Sequence, residues 1–310
     1  MSNSISMSPN NAMNISANNR ILLFGAGWIG TQLLDLFRQQ PNTDVRVATA
    51  RANDEVGVSS ELHLYEPTHV VSCIGRTHGV IEGREIGTID YLEYPGKLLD
   101  NVTDNLYAPL LLAHLCQKFD IHYTYLGTGC IFEYDEHHRL GGERGFTEDS
   151  KPNFFGSGYS TVKGITDRMM RWYSNTLNVR IRMPITAQAN DRDFITKIVK
   201  YEKICSMPNS MTVLDELLPL MVDMVLTGRT GTIQLTNPGV ISHEEILEMY
   251  REIVDPTKTW KTMTYEEQNG LLKSKRSNNY LETTLLEEWY PQVSDIHTAV
   301  RRALMKRAGK

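Results

Sequence analysis

The stretch Ile21-Leu-Leu-Phe24-Gly25-Ala-Gly27-Trp28-Ile29-Gly30 decides the fold. Four apolar residues read as a buried strand, and the glycines stand where that strand turns sharply into a helix. In such a turn Gly25 permits the tight reversal, Gly27 lets a pyrophosphate approach the backbone, and Gly30 lets helix and strand pack closely. The helix start, Trp28-Ile29-Gly30, supplies free N–H groups and a partial positive charge to phosphates. The pattern predicts a dinucleotide site in the first strand–helix unit.

Working outward, short apolar runs alternate with amphipathic stretches. Strands are predicted at Val45–Val47, Thr68–Ser72, Tyr123–Leu126 and Val179–Arg182, and helices at Thr31–Gln39, Asn101–Lys118 and Ser160–Ser174. That rhythm implies an α/β fold with a doubly wound parallel sheet covered on both faces. After Pro184 the pattern loosens. Thr212–Leu226 reads as a helix and Thr232–Thr236 as a late strand. Ser242 and Glu245 form a capping box for a helix over Glu244–Glu252, and the chain from Asp255 reads as helical and mixed in charge. The expected organisation is a disordered tail (1–19), a Rossmann-type domain (20–186) and a smaller C-terminal substrate lobe (187–310). Roughly 210–236 is expected to return to the Rossmann core.

Composition narrows the partners. The 310 residues are 41% hydrophobic and 22% charged, with 37 acidic against 32 basic side chains. That balance gives no electrostatic reason to expect nucleic acid or an anionic membrane. No apolar run is long enough to span a bilayer, and the Asn/Ser/Met-rich start carries no Lys or Arg, so no secretory signal is read and a cytoplasmic location is expected. Cys73, Cys116, Cys130 and Cys205 are scattered, and neither they nor the nine histidines show metal-binding spacing.

An NAD site would place an acidic residue at the end of the second strand. Here Val45–Ala50 ends without one and Arg51 follows, a side chain whose planar fork suits a 2′-phosphate. NADPH is therefore expected, with NADH possible. Tyr159-Ser-Thr-Val-Lys163 puts a phenol and an ammonium four residues apart on one helix face. The ammonium is expected to lower the phenol's pKa, so that Tyr159 exchanges a proton with a carbonyl oxygen while hydride moves at carbon. Leu126-Gly-Thr128-Gly-Cys130 closes the preceding strand, where open α/β sheets bind ligands. If extended geometry continues, Thr128 and Cys130 face one side: a hydroxyl to hold the carbonyl and a thiol able to act on the neighbouring carbon.

At these residues the chain resembles the extended short-chain dehydrogenase/reductases that act on nucleotide sugars. It is most similar to the bifunctional UDP-4-keto-6-deoxy-D-glucose 3,5-epimerase/4-reductases of plants and viruses. The strings include Thr128-Gly-Cys-Ile-Phe-Glu-Tyr134, Pro152-Asn153-Phe154, Arg180-Ile-Arg-Met-Pro-Ile185, Phe194-Ile-Thr-Lys197, Thr236-Asn-Pro-Gly239 and Arg276-Ser-Asn-Asn279. The resemblance implies reduction by Thr128, Tyr159 and Lys163, and epimerisation by Cys130 and Lys197. It implies a nicotinamide cofactor also meeting Ile74, Gly75 and Pro184. It further implies a nucleotide sugar held by Asn153, Arg276, Asn278 and Asn279, and a homodimer. Two departures stand out: the segment before Phe194 is one residue shorter than in the plant enzymes, and Ile74-Gly-Arg-Thr-His78 replaces their Asn-Ala-Ala-Gly-Val-Thr-Gly. Gly129-Cys130 also stands where sugar 4,6-dehydratases carry Asp-Glu, which argues against dehydration. A monofunctional 4-reductase and a non-catalytic dinucleotide sensor are the competing readings.

Overall fold

The computed structural model describes residues 19–310; the tail expected at 1–18 lies outside them. Asn19, read as the tail's last residue, opens the first strand instead. Strands β1 (Asn19–Phe24), β2 (Thr43–Val47) and β3 (His69–Ser72) come first. Then come the hairpin β4 (Gly79–Ile81)/β5 (Arg84–Ile86), β6 (His122–Thr128), β7 (Thr176–Ile181), β8 (Lys203–Ile204), β9 (Gly231–Gln234) and β10 (Lys261–Thr262). The helices are α1 (Trp28–Arg38), α2 (Glu55–Tyr65), α3 (Lys97–Val102), α4 (Ala108–Lys118), α5 (Gly158–Met170) and α6 (Phe194–Ile198), then α7 (Leu214–Leu226), α8 (His243–Ile253), α9 (Tyr265–Leu271), α10 (Thr284–Trp289) and α11 (Ile296–Arg307).

Six strands form one parallel sheet in the order β2-β1-β3-β6-β7-β9, the doubly wound architecture that the sequence predicts. The order reverses between β1 and β3. The crevice beyond the carboxyl ends of those strands is where such sheets hold ligands. Alternation along the strands feeds two cores. Ile21 and Leu23 meet α1 and α7 through Leu33, Phe37, Leu217 and Met221. Leu22 and Phe24 meet α2 and α4, in a layer that also buries Tyr123 and Tyr125 of β6. A third core joins α6, α8 and α11 in the C-terminal lobe. The segment after Ile204 runs through α7 on the α1 face and adds β9 beside β7.

The helix read as continuous over Asn101–Lys118 is interrupted by a π turn at Thr103–Tyr107. Pro109 supplies the reason: it has no N–H, and its ring cannot sit against the carbonyl four residues back. That carbonyl, of Asn105, is taken by the Thr166 hydroxyl of α5 at 2.6 Å. Helix α2 has no counterpart in the reading because its apolar residues are not periodic. Val56 and Leu64 are both 80% exposed while Val58 and Leu62 are buried. The region after Asp255 is less helical than expected: α9, α10 and α11 are separated by extended segments.

Candidate active site

Gly25 takes φ +91°, open to glycine alone at low cost, and a side chain there would press on Cys73 and Ile74. A side chain on Gly30 would run into the Gly25 carbonyl, whereas nothing lies within 4 Å of where one would project from Gly27. Gly27 also begins α1 with no capping side chain, so amides of the first turn face open space. A diphosphate fits that cradle in shape and charge. Across it, Arg76 N–H donates to Asn105 Oδ1 at 3.0 Å, and Asn105 Nδ2 donates to the Arg76 carbonyl at 2.9 Å. These bonds set the Ile74-Gly75 strip beside the cradle. The loop after β2 is held by Glu61 of α2, whose carboxylate accepts from the Thr49 and Ala50 amides at 2.9 Å each. Arg51 follows, exposed and without a carboxylate partner among the described residues.

Helix α5 starts from a double anchor. Ser157 Oγ accepts from Ser160 N–H at 3.0 Å, and Glu93 accepts from Gly158 N–H at 2.6 Å. Tyr159, Lys163 and Asp167 then share one face. Asp167 makes a bidentate pair with Arg180 of β7, both bonds 2.7 Å, the two side chains 3% and 0% exposed. That buried pair locks the helix register onto the sheet, since removing one partner would leave a charge stranded.

The Tyr159 phenol stands beside Thr128 and Cys130. Burial pushes it up from its ordinary value; the Cys130 thiol adds to this and Thr128 opposes it. The expectation that Lys163 lowers this phenol does not hold. The Lys163 ammonium points away, onto the Tyr125 hydroxyl at 2.5 Å, because Tyr125 offers a buried acceptor directly over the helix. Burial in turn pulls Lys163 down to about 7, with Asp167 working against the fall.

Nor does the strand continue past Thr128. The chain turns there, and Cys130 N–H donates to Thr128 Oγ1 at 3.0 Å. Cys130 still reaches the wall of a cavity of about 580 Å³, together with Tyr159, Met183, Phe194, His243, Arg276 and Asn278. Met183 sits there at φ +40°, a strained conformation for a residue with a side chain. It precedes Pro184, whose carbonyl accepts from Phe194 N–H at 2.9 Å and ties down the start of α6.

The remaining predicted site residues scatter. Lys197 lies on α6, outside the cavity lining, and its ammonium makes no hydrogen bond among the described residues. Burial and then Arg192 hold its ammonium below the usual lysine value. Arg276 lines the cavity, but its guanidinium already spans Asp90 Oδ2 at 2.5 Å and the Ser274 carbonyl at 2.8 Å. Asn279 is fully buried away from it. Its amide donates to the Gly129 and Phe132 carbonyls at 3.0 and 2.9 Å, and its oxygen accepts from Arg182 at 2.6 Å. Asn153 is likewise committed, to Glu133 and Asp135. In this structure both asparagines shape the Thr128–Asp135 segment instead of facing a substrate, because backbone groups left unpaired by that turn must find partners. Asn278 keeps contact with the cavity while accepting from Asn209 at 2.9 Å.

Sequence reading missed Tyr125, the Asp167–Arg180 clamp, Asp90 and Asn105. Only the clamp left a trace: an acid one turn beyond Lys163 and an arginine inside an apolar strand. Among the described residues, no three His, Cys, Asp or Glu side chains gather as metal ligands, and no helix is long and apolar enough to cross a membrane.

The comparisons agree with this geometry. No family model matches the chain. It is 52% identical over 287 residues to protein L780 of Acanthamoeba polyphaga mimivirus, covering 92% of this chain and 97% of that one. The crystal structure of L780, a UDP-rhamnose synthase, superposes with a TM-score of 0.88 over 93% of this chain and 99% of that one. Identity is 40% over 283 residues to a bifunctional dTDP-4-dehydrorhamnose 3,5-epimerase/dTDP-4-dehydrorhamnose reductase of Arabidopsis thaliana, covering 91% of each. A dTDP-4-dehydrorhamnose reductase of Bacillus anthracis, solved with NADP, shares the fold at 16% identity and a TM-score of 0.75, over 93% of this chain and 99% of that one. With a Rossmann cradle, a Thr–Tyr–Lys set and identity of this extent, the chain belongs to the extended short-chain dehydrogenase/reductase family of nucleotide-sugar 3,5-epimerase/4-reductases.

Proposed function

We propose that this enzyme converts UDP-4-keto-6-deoxy-D-glucose to UDP-L-rhamnose, using NADPH. The convergence of Thr128, Cys130 and Tyr159 on one turn beside the cavity carries the reading. A ketone at C4 acidifies the hydrogens on C3 and C5. Thr128 and Tyr159 hold the enolate oxygen, and Cys130 exchanges protons at the adjacent carbons. Inversion also needs a group on the opposite face, the role we give to Lys197 once substrate draws α6 inward. When bound, the dinucleotide supplies the hydride to C4. Tyr159, kept protonated by burial, is then in the right state to deliver the proton to O4. Arg276 and Asn278 face the nucleotide diphosphate and hydroxyls, with Arg51 on a 2′-phosphate.

We place the enzyme in the cytoplasm, where sugar nucleotides and NADPH are made, and as a homodimer. Tyr107, Ile165 and Trp172, 48%, 45% and 75% exposed, are apolar side chains on the π turn, on α5 and on the turn that follows it, which suits that region to a second copy. The deciding experiment supplies UDP-4-keto-6-deoxyglucose with NADPH alone and identifies the product by NMR. UDP-L-rhamnose requires both activities. A 4-reduced sugar unchanged at C3 and C5 leaves only a reductase, and absence of turnover overturns the proposal. Running the dTDP substrate in parallel decides the base.

A further inference from the structure

The contact between Lys163 and Tyr125 has no counterpart in the chemistry above. Tyr125 lies on β6, three residues ahead of Thr128, and is 1% exposed. Its ring is packed in the layer between the sheet and α4, so its hydroxyl cannot swing away. Lys163 Nζ lies 2.5 Å from that hydroxyl and 4.5 Å from the ring centre. Burial holds the Tyr125 phenol unionised, and an uncharged phenol oxygen meeting an ammonium can only accept from it. Asp167 on its own helix and Cys130 on the turn after β6 also face Lys163, and Tyr159 stands one turn before it on the same helix. None of them bonds to it, and both Asp167 oxygens are committed to Arg180, with Asn178 also donating to Oδ1.

An ammonium has three donors in fixed tetrahedral directions. We propose that Tyr125 is the positioning residue for Lys163: it takes one donor and so aims the other two into the cofactor cleft, at neighbouring hydroxyls of a ribose. The inference rests on reading Lys163 as the residue that holds the cofactor's ribose. A neutral acceptor suits this task better than a carboxylate, which would bind the ammonium more tightly and compete with the ribose for it. It also favours the charged form that makes these bonds. Without it, Lys163 would be a buried ammonium with no partner.

The test compares Tyr125→Phe, which keeps the ring and its packing, with the wild type in NADPH binding by fluorescence titration between pH 6 and 9. In the wild type, affinity declines above about pH 7 as Lys163 loses its proton. In Tyr125→Phe the decline begins about one pH unit lower, and the dissociation constant at pH 8 rises about tenfold, one unit corresponding to one factor of ten. An unchanged profile in a variant with wild-type melting temperature overturns the inference, because packing alone would then account for Tyr125. Lys163→Met is the control: a pH decline that persists in it overturns the reading of Lys163 itself. Should Tyr125→Phe not fold, lysine-selective NMR of the wild type decides. A Lys163 ammonium protected from exchange at pH 6, with and without NADP, supports the bond, and rapid exchange in both states overturns it.

Discussion

The two sides of the cavity are built differently. On the α5 side, Tyr159 and Lys163 ride a helix capped at its start by Ser157 and Glu93 and clamped one turn further on by Asp167–Arg180. On the α6 side, Lys197 sits on a five-residue helix with no partner for its ammonium among the described residues, and Arg276 is occupied by Asp90. On the proposed function, the groups assigned to reduction are fixed in place, whereas Lys197, assigned to inversion, is not tied down. Reduction needs one proton delivered to one oxygen. Inverting a carbon needs a proton removed from one face and returned on the other, which calls for a group free to close on the ring.

Separating the two half-reactions breaks the comparison most directly. Tyr159→Phe is expected to lose reduction by about 10²–10⁴-fold, the usual worth of a positioned acid, while solvent deuterium entry at C3 and C5 slows but persists, because Thr128 still holds the enolate oxygen. Cys130→Ser should abolish that deuterium uptake and leave NADPH binding intact; full exchange surviving in it removes Cys130 from the chemistry. Asp167→Asn tests whether the α5 side owes its order to the clamp. It strands Arg180 and should cost about 3–5 kcal/mol in chemical denaturation, and a loss below 1 kcal/mol would mean that the register is held elsewhere.

Arg51→Ala should reduce the preference for NADPH over NADH by about tenfold or more, the scale of one charge-assisted bond; an unaltered ratio reassigns the 2′-phosphate. The smallest effect concerns Lys163 without ligand. Its unfolded state holds the proton to about pH 10.5, whereas the folded state releases it near 7. The unfolded chain therefore binds more protons between those values, and the lysine's burden on stability is largest at or below pH 7 and shrinks as pH rises. Lys163→Met should then melt above the wild type by about 2 °C or more at pH 6.5, with the gap narrowing toward pH 9.5. A gap that widens instead would place the titration elsewhere.

The parallel sheet was legible because buried strands and the glycine turn write themselves as local patterns: Ile21–Phe24, Gly25–Gly30 and Tyr159–Lys163 each sit within a few residues. What escaped depends on distant partners. Nothing near Tyr125 says that a lysine on another element will use its hydroxyl. Nothing near Asn279 says that its amide nitrogen is consumed by carbonyls 150 and 147 positions earlier in the chain. Resemblance marked Asn153 and Asn279 as substrate contacts because polar residues near a site look alike in sequence, whether they touch ligand or backbone. The π turn escaped for a different reason. Pro109 was visible, but the Thr166 hydroxyl that receives the displaced Asn105 carbonyl was not.

Asn279 also sets a timetable. The turn carrying Thr128 and Cys130 is fastened through the Gly129 and Phe132 carbonyls to a side chain made long after the turn itself, and Arg182 is pinned to the same strip by the Asn279 and Ser277 carbonyls. Contacts of such sequence separation form late, after the loop between them has been closed. During synthesis the sheet can assemble as its strands emerge, but the catalytic turn stays unfastened until residue 279 clears the ribosome. A nascent chain stopped short of that point lacks the bonds that fasten this turn.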